Sequence, residues 1–213
     1  QIAAMGEDGF NYSSNYLMPG DIPSFQIYDT SEDLYYDAKP SADYGFAETG
    51  FFFIESLIAG IIYELEFDGI DLISYYVLPE DASMEGLTSS LGGNISSVIT
   101  EGQSAVYINE NGSDLFWIGS LTEFTANKGY WIIIPSPPAV FSNIGFDYNP
   151  SRTYDLHVGA NLISFPDSGS VDISEAIPDN VEDLFMAIIG EGVATLNTES
   201  GWVGALTSFN GGS

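Results

Sequence analysis

The chain has 213 residues and 23.0 kDa, with no Cys and 31 Asp and Glu against 3 Lys and Arg, for a formal net charge of -28. The basic residues are Lys39, Lys128 and Arg152, scattered along the chain. This excludes roles that rest on neutralising phosphate: nucleic-acid binding, attachment to anionic lipid and the cationic clamps of phosphoryl transfer. Without Cys there are no disulfides and no thiolate zinc sites, and a Ser-His-Asp arrangement would rest on His157 alone.

Hydrophobic residues at 45 % and aromatics at 14 % are far above what a disordered acidic tail carries, so the chain folds. Charged residues make up 16 %, below the usual ~25 %. The surface is therefore finished with Ser, Thr, Asn, Gly and Tyr, a mixture that suits a secreted protein. Self-repulsion at this charge calls for salt or bound cations, and at seawater-like ionic strength the Debye length is about 4 Å. The opening Gln1-Ile2-Ala3-Ala4-Met5-Gly6 has no basic leader and no initiating Met, and reads as a processed or shortened chain. The most apolar stretch, Phe51 to Ile62, contains Glu55 and is too short to span a bilayer.

Strand signals dominate the chain. Residues 1–66 read as part of a β-domain, with strands at Phe25-Gln26-Ile27-Tyr28, Tyr35-Tyr36-Asp37-Ala38 and Phe51-Phe52-Phe53-Ile54 joined by acidic turns. Residues 67–135 read as a β-module. In it Ser104-Ala105-Val106-Tyr107-Ile108 alternates, Asn111-Gly112 signals a type I′ hairpin, and Gly129-Tyr130-Trp131-Ile132-Ile133-Ile134 is a β-branched and aromatic run ended by Pro135. Residues 136–152, rich in Pro, read as a semi-rigid linker. Residues 153–213 read as a second module, with one short helix at Asp172–Ile177 stopped by Pro178. The predicted fold class is all-β: tandem β-sandwich-like modules with at most short helices.

An internal repeat is the most informative feature. Gly69-Ile70-Asp71-Leu72-Ile73-Ser74 matches Gly159-Ala160-Asn161-Leu162-Ile163-Ser164, and Trp117 to Phe124 matches Trp202 to Phe209. Between them Val106-Tyr107-Ile108-Asn109 parallels Ala194-Thr195-Leu196-Asn197. The offsets, 159 − 69 = 90 and 202 − 117 = 85, make the second copy slightly shorter. After Phe124 the first copy continues into the Gly-Tyr-Trp strand, whereas after Phe209 come only Asn210-Gly211-Gly212-Ser213. A module without that strand has an open sheet edge. Two explanations stay open: a shortened chain, or a strand from another chain filling the slot, as in donor-strand assemblies.

These residues resemble a family of tandem β-modules in large secreted and cell-surface proteins, especially of marine bacteria. Two signatures carry the likeness: Pro-Ser-Phe-Gln-Ile-Tyr-Asp (23–29) with Tyr35-Tyr36-Asp37-Ala38, and the Asn-Leu-Ile-Ser … Trp-x-Gly-x-Leu … Gly-Tyr-Trp repeat. The repeat departs at Asp71, which stands in the place of Asn. The resemblance implies export, a multi-domain architecture and no assigned catalytic residues.

Among chemical constellations, Ca²⁺ comes first, because acidic residues cluster in turns and Ca²⁺ takes six to eight hard oxygens. The candidate ligands are Asp29, Glu32, Asp33, Asn109, Asn111, Asp114, Asp167 and Asp172, with Glu7-Asp8-Gly9 as a further acidic turn. None of these turns completes a twelve-residue loop with a terminal Glu. Trp117, Trp131 and Trp202 could stack on sugars, but Trp117 and Trp202 recur at equivalent positions and read as core. Tyr35-Tyr36 places one ring on each strand face. His157 reads as a strand residue. Sequons stand at Asn11, Asn94 and Asn111. No Gly-x-Ser-x-Gly nucleophile motif occurs.

The resulting expectation is an extracellular, non-enzymatic structural or adhesive protein, a subunit of a surface layer or filament. It would self-associate through strand pairing, without nucleic acid or membrane insertion. The alternative is a carbohydrate-binding module of a secreted enzyme, with glycans as partners.

Overall fold

In a computed structural model the described residues are 3–31, 33–110, 113–146 and 149–212, with the side chains of 109, 110 and 113–115 left out. The fold is all-β. Among the described residues its antiparallel sheets are joined by turns, three short α-helices and two 3₁₀ turns, and no helix is long and apolar enough to cross a membrane. The chain divides into two compact units, Gln1–Ile62 and Tyr63–Ser213.

The first unit holds a three-stranded sheet of β1 (Phe25–Asp29), β2 (Leu34–Pro40) and β3 (Leu57–Ala59), in that order. β1 alternates in burial, as its Phe-Gln-Ile-Tyr pattern requires. Tyr28 faces Tyr35 across the β1–β2 ladder, their rings 4.7 Å apart. The Phe51–Ile54 run, expected as a strand, has no ladder partner among the described residues, and Phe51 and Phe53 lie exposed. β3 forms further on, where Leu57-Ile58-Ala59 aligns with Pro40-Lys39-Ala38.

The second unit takes up β4 (Ile61–Phe67) from Tyr63 onward, and then β5 (Ile70–Ser74). α1 (Met84–Thr88) follows, its first turn capped by Ser83, whose Oγ accepts the Gly86 N–H at 3.0 Å. Next come β6 (Ser97–Thr100), β7 (Gln103–Glu110), β8 (Ser113–Gly119), β9 (Gly129–Ile133) and β10 (Ala139–Gly145). Within the stretch read as a linker, β10 pairs with β4 and buries Phe141 and Ile144. β7 and β8 pair out to Glu110 and Ser113, and Asn111-Gly112, expected as a type I′ turn, lie outside the described residues. The remaining elements are β11 (Ser170–Asp172), α2 (Ile173–Ala176), α3 (Asp179–Glu182), β12 (Ala187–Gly190), β13 (Val193–Thr198), β14 (Gly201–Gly204) and β15 (Ser208–Asn210).

The five-stranded sheet runs β5-β9-β6-β7-β8. β9 lies inside it, and its Tyr130 and Ile132 are fully buried. Tyr130 packs against Phe124 at 4.8 Å and Tyr75 at 6.0 Å. Its hydroxyl accepts the Thr125 N–H at 2.7 Å and lies 3.1 Å from the Thr125 carbonyl, to which it donates. The Tyr75 hydroxyl is equally buried and has no hydrogen-bond partner among the described residues. Burial pushes its pKa well up.

An unpaired buried hydroxyl costs about 1–3 kcal/mol. Tyr75→Phe is therefore expected to leave stability unchanged or raise it, and Tyr130→Phe to lower it by about 1 kcal/mol, as read from urea denaturation midpoints. The same loss for both variants would contradict this assignment.

Candidate functional site

The two copies of the repeat fold into matching meanders. In the first, Val98 pairs with Ala105, and Ala105 with Gly119. In the second, Ile188 pairs with Thr195, and Thr195 with Gly204. The register thus matches Ala105 to Thr195 and Val106 to Leu196, two positions away from the block alignment made on the sequence. Inward-facing burial decides it, since Ala105 and Thr195 are each 1 % exposed. The difference in offsets sits in the hairpin: Tyr107 meets Trp117 whereas Asn197 meets Trp202, a shortening of five residues (117 − 107 against 202 − 197).

The corner after each meander also matches. A Cβ on Gly119 would lie 2.1 Å from the Ser104 carbonyl oxygen, and one on Gly204 would lie 2.2 Å from that of Ala194. Each carbonyl accepts two consecutive N–H groups, from Ser120 and Leu121 in one copy and from Ala205 and Leu206 in the other. The aromatic floor recurs as well: Tyr75 meets Phe124 at 5.4 Å, and Phe165 meets Phe209 at 5.3 Å. Both indoles are half-buried and hydrogen-bonded. Trp117 donates to Thr88 Oγ1 at 3.3 Å, and Trp202 donates to Glu182 Oε1 at 2.6 Å.

The copies interlock reciprocally. Glu191 Oε2 accepts the Leu72 N–H at 2.8 Å, and Glu101 Oε2 accepts the Leu162 N–H at 3.1 Å. The Ser74 N–H donates to the Gly212 carbonyl at 3.4 Å, and the Ser164 N–H to the Asn127 carbonyl at 3.5 Å. Contacts that hold in both directions are the mark of a two-fold relation between like halves. Sequence reading missed Glu101 and Glu191. Their signal was present, since Glu101-Gly102 and Glu191-Gly192 recur at the offset of 90, with both glycines at positive φ in a two-residue turn.

One element has no counterpart. In the first copy β9 lies between β5 and β6. In the second, among the described residues, β12 is an edge strand, and residues 160–164 form only the isolated bridge of Ile163 to Lys128. Ile189 on β12 is 75 % exposed, and Met186 just before it 83 %.

His157 lies outside any strand and is exposed. Its Nδ1 lies 3.0 Å from the Val158 carbonyl and its Nε2 contacts Glu101 Oε1. The Val158 carbonyl and then Glu101 raise the His157 pKa, while the His157 hydrogen bond and then the Leu162 N–H lower that of Glu101.

No three acidic or imidazole side chains group to hold a metal among the described residues. Asp29 accepts from Ser31 N–H and Oγ–H at 2.7 and 2.6 Å. Asp33 accepts from the Tyr28 hydroxyl, and Asp167 accepts the Gly169 N–H at 3.0 Å. Asp172 stands at the N-terminus of α2 without a capping bond. Glu32 and Asn111 lie outside the described residues, as do the side chains of Asn109 and Asp114. In the Glu7-Asp8-Gly9 turn, hydrogen bonds from Ser13 and Tyr12 hold Asp8 below its usual pKa. Of the sequons, Asn11 is exposed in a 3₁₀ turn. Asn94 is half-buried and latched to Ser136, donating to its carbonyl at 2.8 Å and accepting its N–H at 3.0 Å. Tyr35 is 68 % exposed and Tyr36 half-buried, one ring to each face. A cleft of about 580 Å³ is lined by Leu78, Pro79, Glu80, Ala82, Ala126 and Phe146, which bring one carboxylate and no nucleophile–base pair.

Compared with known proteins, the chain matches no family model, no curated protein and no solved structure.

The raised His157 pKa means its contribution to stability is complete below the unfolded value near ~6.5 and is lost as pH rises through the folded value. Glu101, with its pKa lowered, contributes above its unfolded value and loses that contribution as pH falls through the folded one. NMR titration of the His157 ring is expected to give a pKa above the ordinary value. It should fall in Glu101→Gln yet stay raised by the Val158 carbonyl, and an unmoved value would contradict the contact.

Proposed function

We propose that this chain is an extracellular, non-catalytic structural or adhesive protein. It would be a subunit of a surface layer, fibre or stalk assembled by strand pairing between like-built units. The observation that supports the reading is the reciprocal interlock of two matching meanders beside β12, an apolar edge strand among the described residues. Edges of this kind are ready templates for another strand. The acidic exterior opposes association until salt screens it, and Ca²⁺ enters as a counter-ion that screens and bridges acidic turns.

Raising NaCl from ~0.01 M to ~1 M shortens the Debye length from about 30 Å to about 3 Å. It is expected to raise Tm and to promote concentration-dependent assemblies visible by light scattering and electron microscopy. A chain that stays monomeric at high protein concentration and high salt would contradict the reading.

A second reading, a carbohydrate-binding module, is favoured by the exposed Tyr28–Tyr35 pair on β1 and β2. Gln26 and Asp37 flank it, with Gln26 Nε2 donating to Asp37 Oδ1 at 3.0 Å. Isothermal titration against a polysaccharide panel tests it. Binding that Tyr35→Ala weakens about tenfold or more, the scale of one lost stacking contact, would favour this reading over assembly.

A further inference from the structure

We infer that the second copy of the repeat holds a binding site for a single neutral sugar ring, in the cleft between α2 and the β13–β14 hairpin. The site belongs to the second unit. It rests neither on the assembly reading nor on the Tyr28–Tyr35 pair.

The cleft has a volume of about 350 Å³, near the ~300 Å³ lower bound of small-molecule sites. The first copy shows why it is there. The two helices start alike, the Met84 N–H donating to the Thr122 carbonyl at 3.0 Å and the Ile173 N–H to the Thr207 carbonyl at 3.0 Å. Three residues on, α1 carries Leu87, fully buried, whereas α2 ends on Ala176 with Pro178 just beyond. The leucine that helps fill the first copy has only a methyl group in its place in the second. The sheet changes too. The inward position held by Ala105 in the first copy is held in the second by Thr195, equally buried and lining the cleft. Thr195 brings to that lining a hydroxyl, which both donates and accepts. Trp202 forms a wall. Trp117 donates its indole N–H to Thr88 of its own helix, whereas Trp202 donates to Glu182 Oε1 on α3 at 2.6 Å, which fixes ring and carboxylate together at the cleft. Ser174 and Thr207 add hydroxyls at the exposed rim, and Asp172 adds a second carboxylate there.

This set selects a chemical class. Carboxylates only accept hydrogen bonds, so the ligand has to offer O–H donors. The indole, with Ile173 and Leu206, offers an apolar face for C–H groups. No lining residue is basic and the chain carries a net charge of -28, which excludes an anion. A pyranose ring combines several hydroxyls with an apolar C–H face. The cleft stands at β13 and β14, away from the β12 edge. Its counterpart in the first copy is bounded by α1, β7 and β8, whereas β9 pairs with β5 and β6. The site is therefore independent of what pairs with β12.

The test titrates the full chain with methyl glucoside, methyl galactoside and methyl N-acetylglucosaminide, followed by saturation-transfer NMR. Saturable binding of at least one is expected, with a dissociation constant on the order of 1 mM, as suits one small ring. Thr195→Ala installs the residue the first copy tolerates at this position, and is expected to weaken binding about fivefold or more through the lost hydrogen bond. Thr207→Trp, at the exposed rim, is expected to abolish binding with Tm unchanged. Tyr35→Ala is expected to leave binding as it is. No binding of any of the three glycosides, or binding that Thr195→Ala and Thr207→Trp both leave unchanged, would overturn the site. Loss of binding in Tyr35→Ala would place the sugar on the first unit and overturn it equally. Displacement of the glycoside by an equal concentration of tetramethylammonium, abolished in Glu182→Gln, would reveal a cation site and overturn the assignment to sugar. Light scattering on the same samples reads the assembly proposal separately, since a chain that binds glycoside and stays monomeric upholds this site alone.

Discussion

A strand has two edges, and the N–H and C=O groups along both need partners wherever water is kept out. The unit Tyr63–Ser213 is organised by how it meets this demand. β9 meets it fully, with ladders on both sides and its side chains closing over the ring cluster of Tyr75, Phe124 and Tyr130. β12 meets it on one side. Where backbone edges are not joined by a ladder, carboxylates stand in. Glu191 accepts from Leu72 and Glu101 from Leu162, each Glu reaching into the other copy.

That exchange changes the picture of how the halves relate. Modules in a string keep their contacts to themselves, whereas here each copy supplies a carboxylate and a carbonyl to the first strand segment of the other. The copies therefore share one compact unit, with β10 and β4 packing Phe141 into the ring cluster that Tyr63 and Tyr75 also enter. Through it the Glu101 side chain contacts both His157 and Leu162 of the second copy. Two of the three basic residues bond within this unit. Arg152 donates to the Ala126 and Tyr76 carbonyls, the latter at 3.1 Å, and Lys128 donates to Gln103 Oε1 at 2.9 Å.

What was legible in the sequence was what rests on local pattern. Alternation marked β1 and β7, an aromatic face marked β2, and Pro178 marked the end of α2. The Trp-x-Gly-x-Leu blocks marked the meander corners, because Gly119 and Gly204 sit where no side chain fits. What was not legible rests on long-range choice. Phe51–Ile54 is as apolar as any strand, yet Leu57–Ala59 is the segment that matches the register of β2. Pro137 and Pro138 signalled a connector, although the residues just after them, Ala139–Gly145, form a buried strand. α1 was hidden by Gly86, although its counterpart in the other copy, α2, was expected. Among the acidic turns, Asp29, Asp33 and Asp167 accept from groups of their own hairpin or turn. The reciprocal Glu contacts span more than fifty residues and leave only a recurring Glu-Gly as their trace.

The central claim is that β6 is paired on both sides whereas its counterpart β12, among the described residues, is paired on one. Hydrogen exchange of the native chain, resolved to single amides, compares the two directly. The account predicts that amides of β6 and β9 exchange only with global unfolding. It also predicts that the amides of β12 pointing away from β13 exchange through local opening, orders of magnitude faster. Equal protection of β6 and β12 would mean that the β12 edge is already satisfied, and would contradict the account.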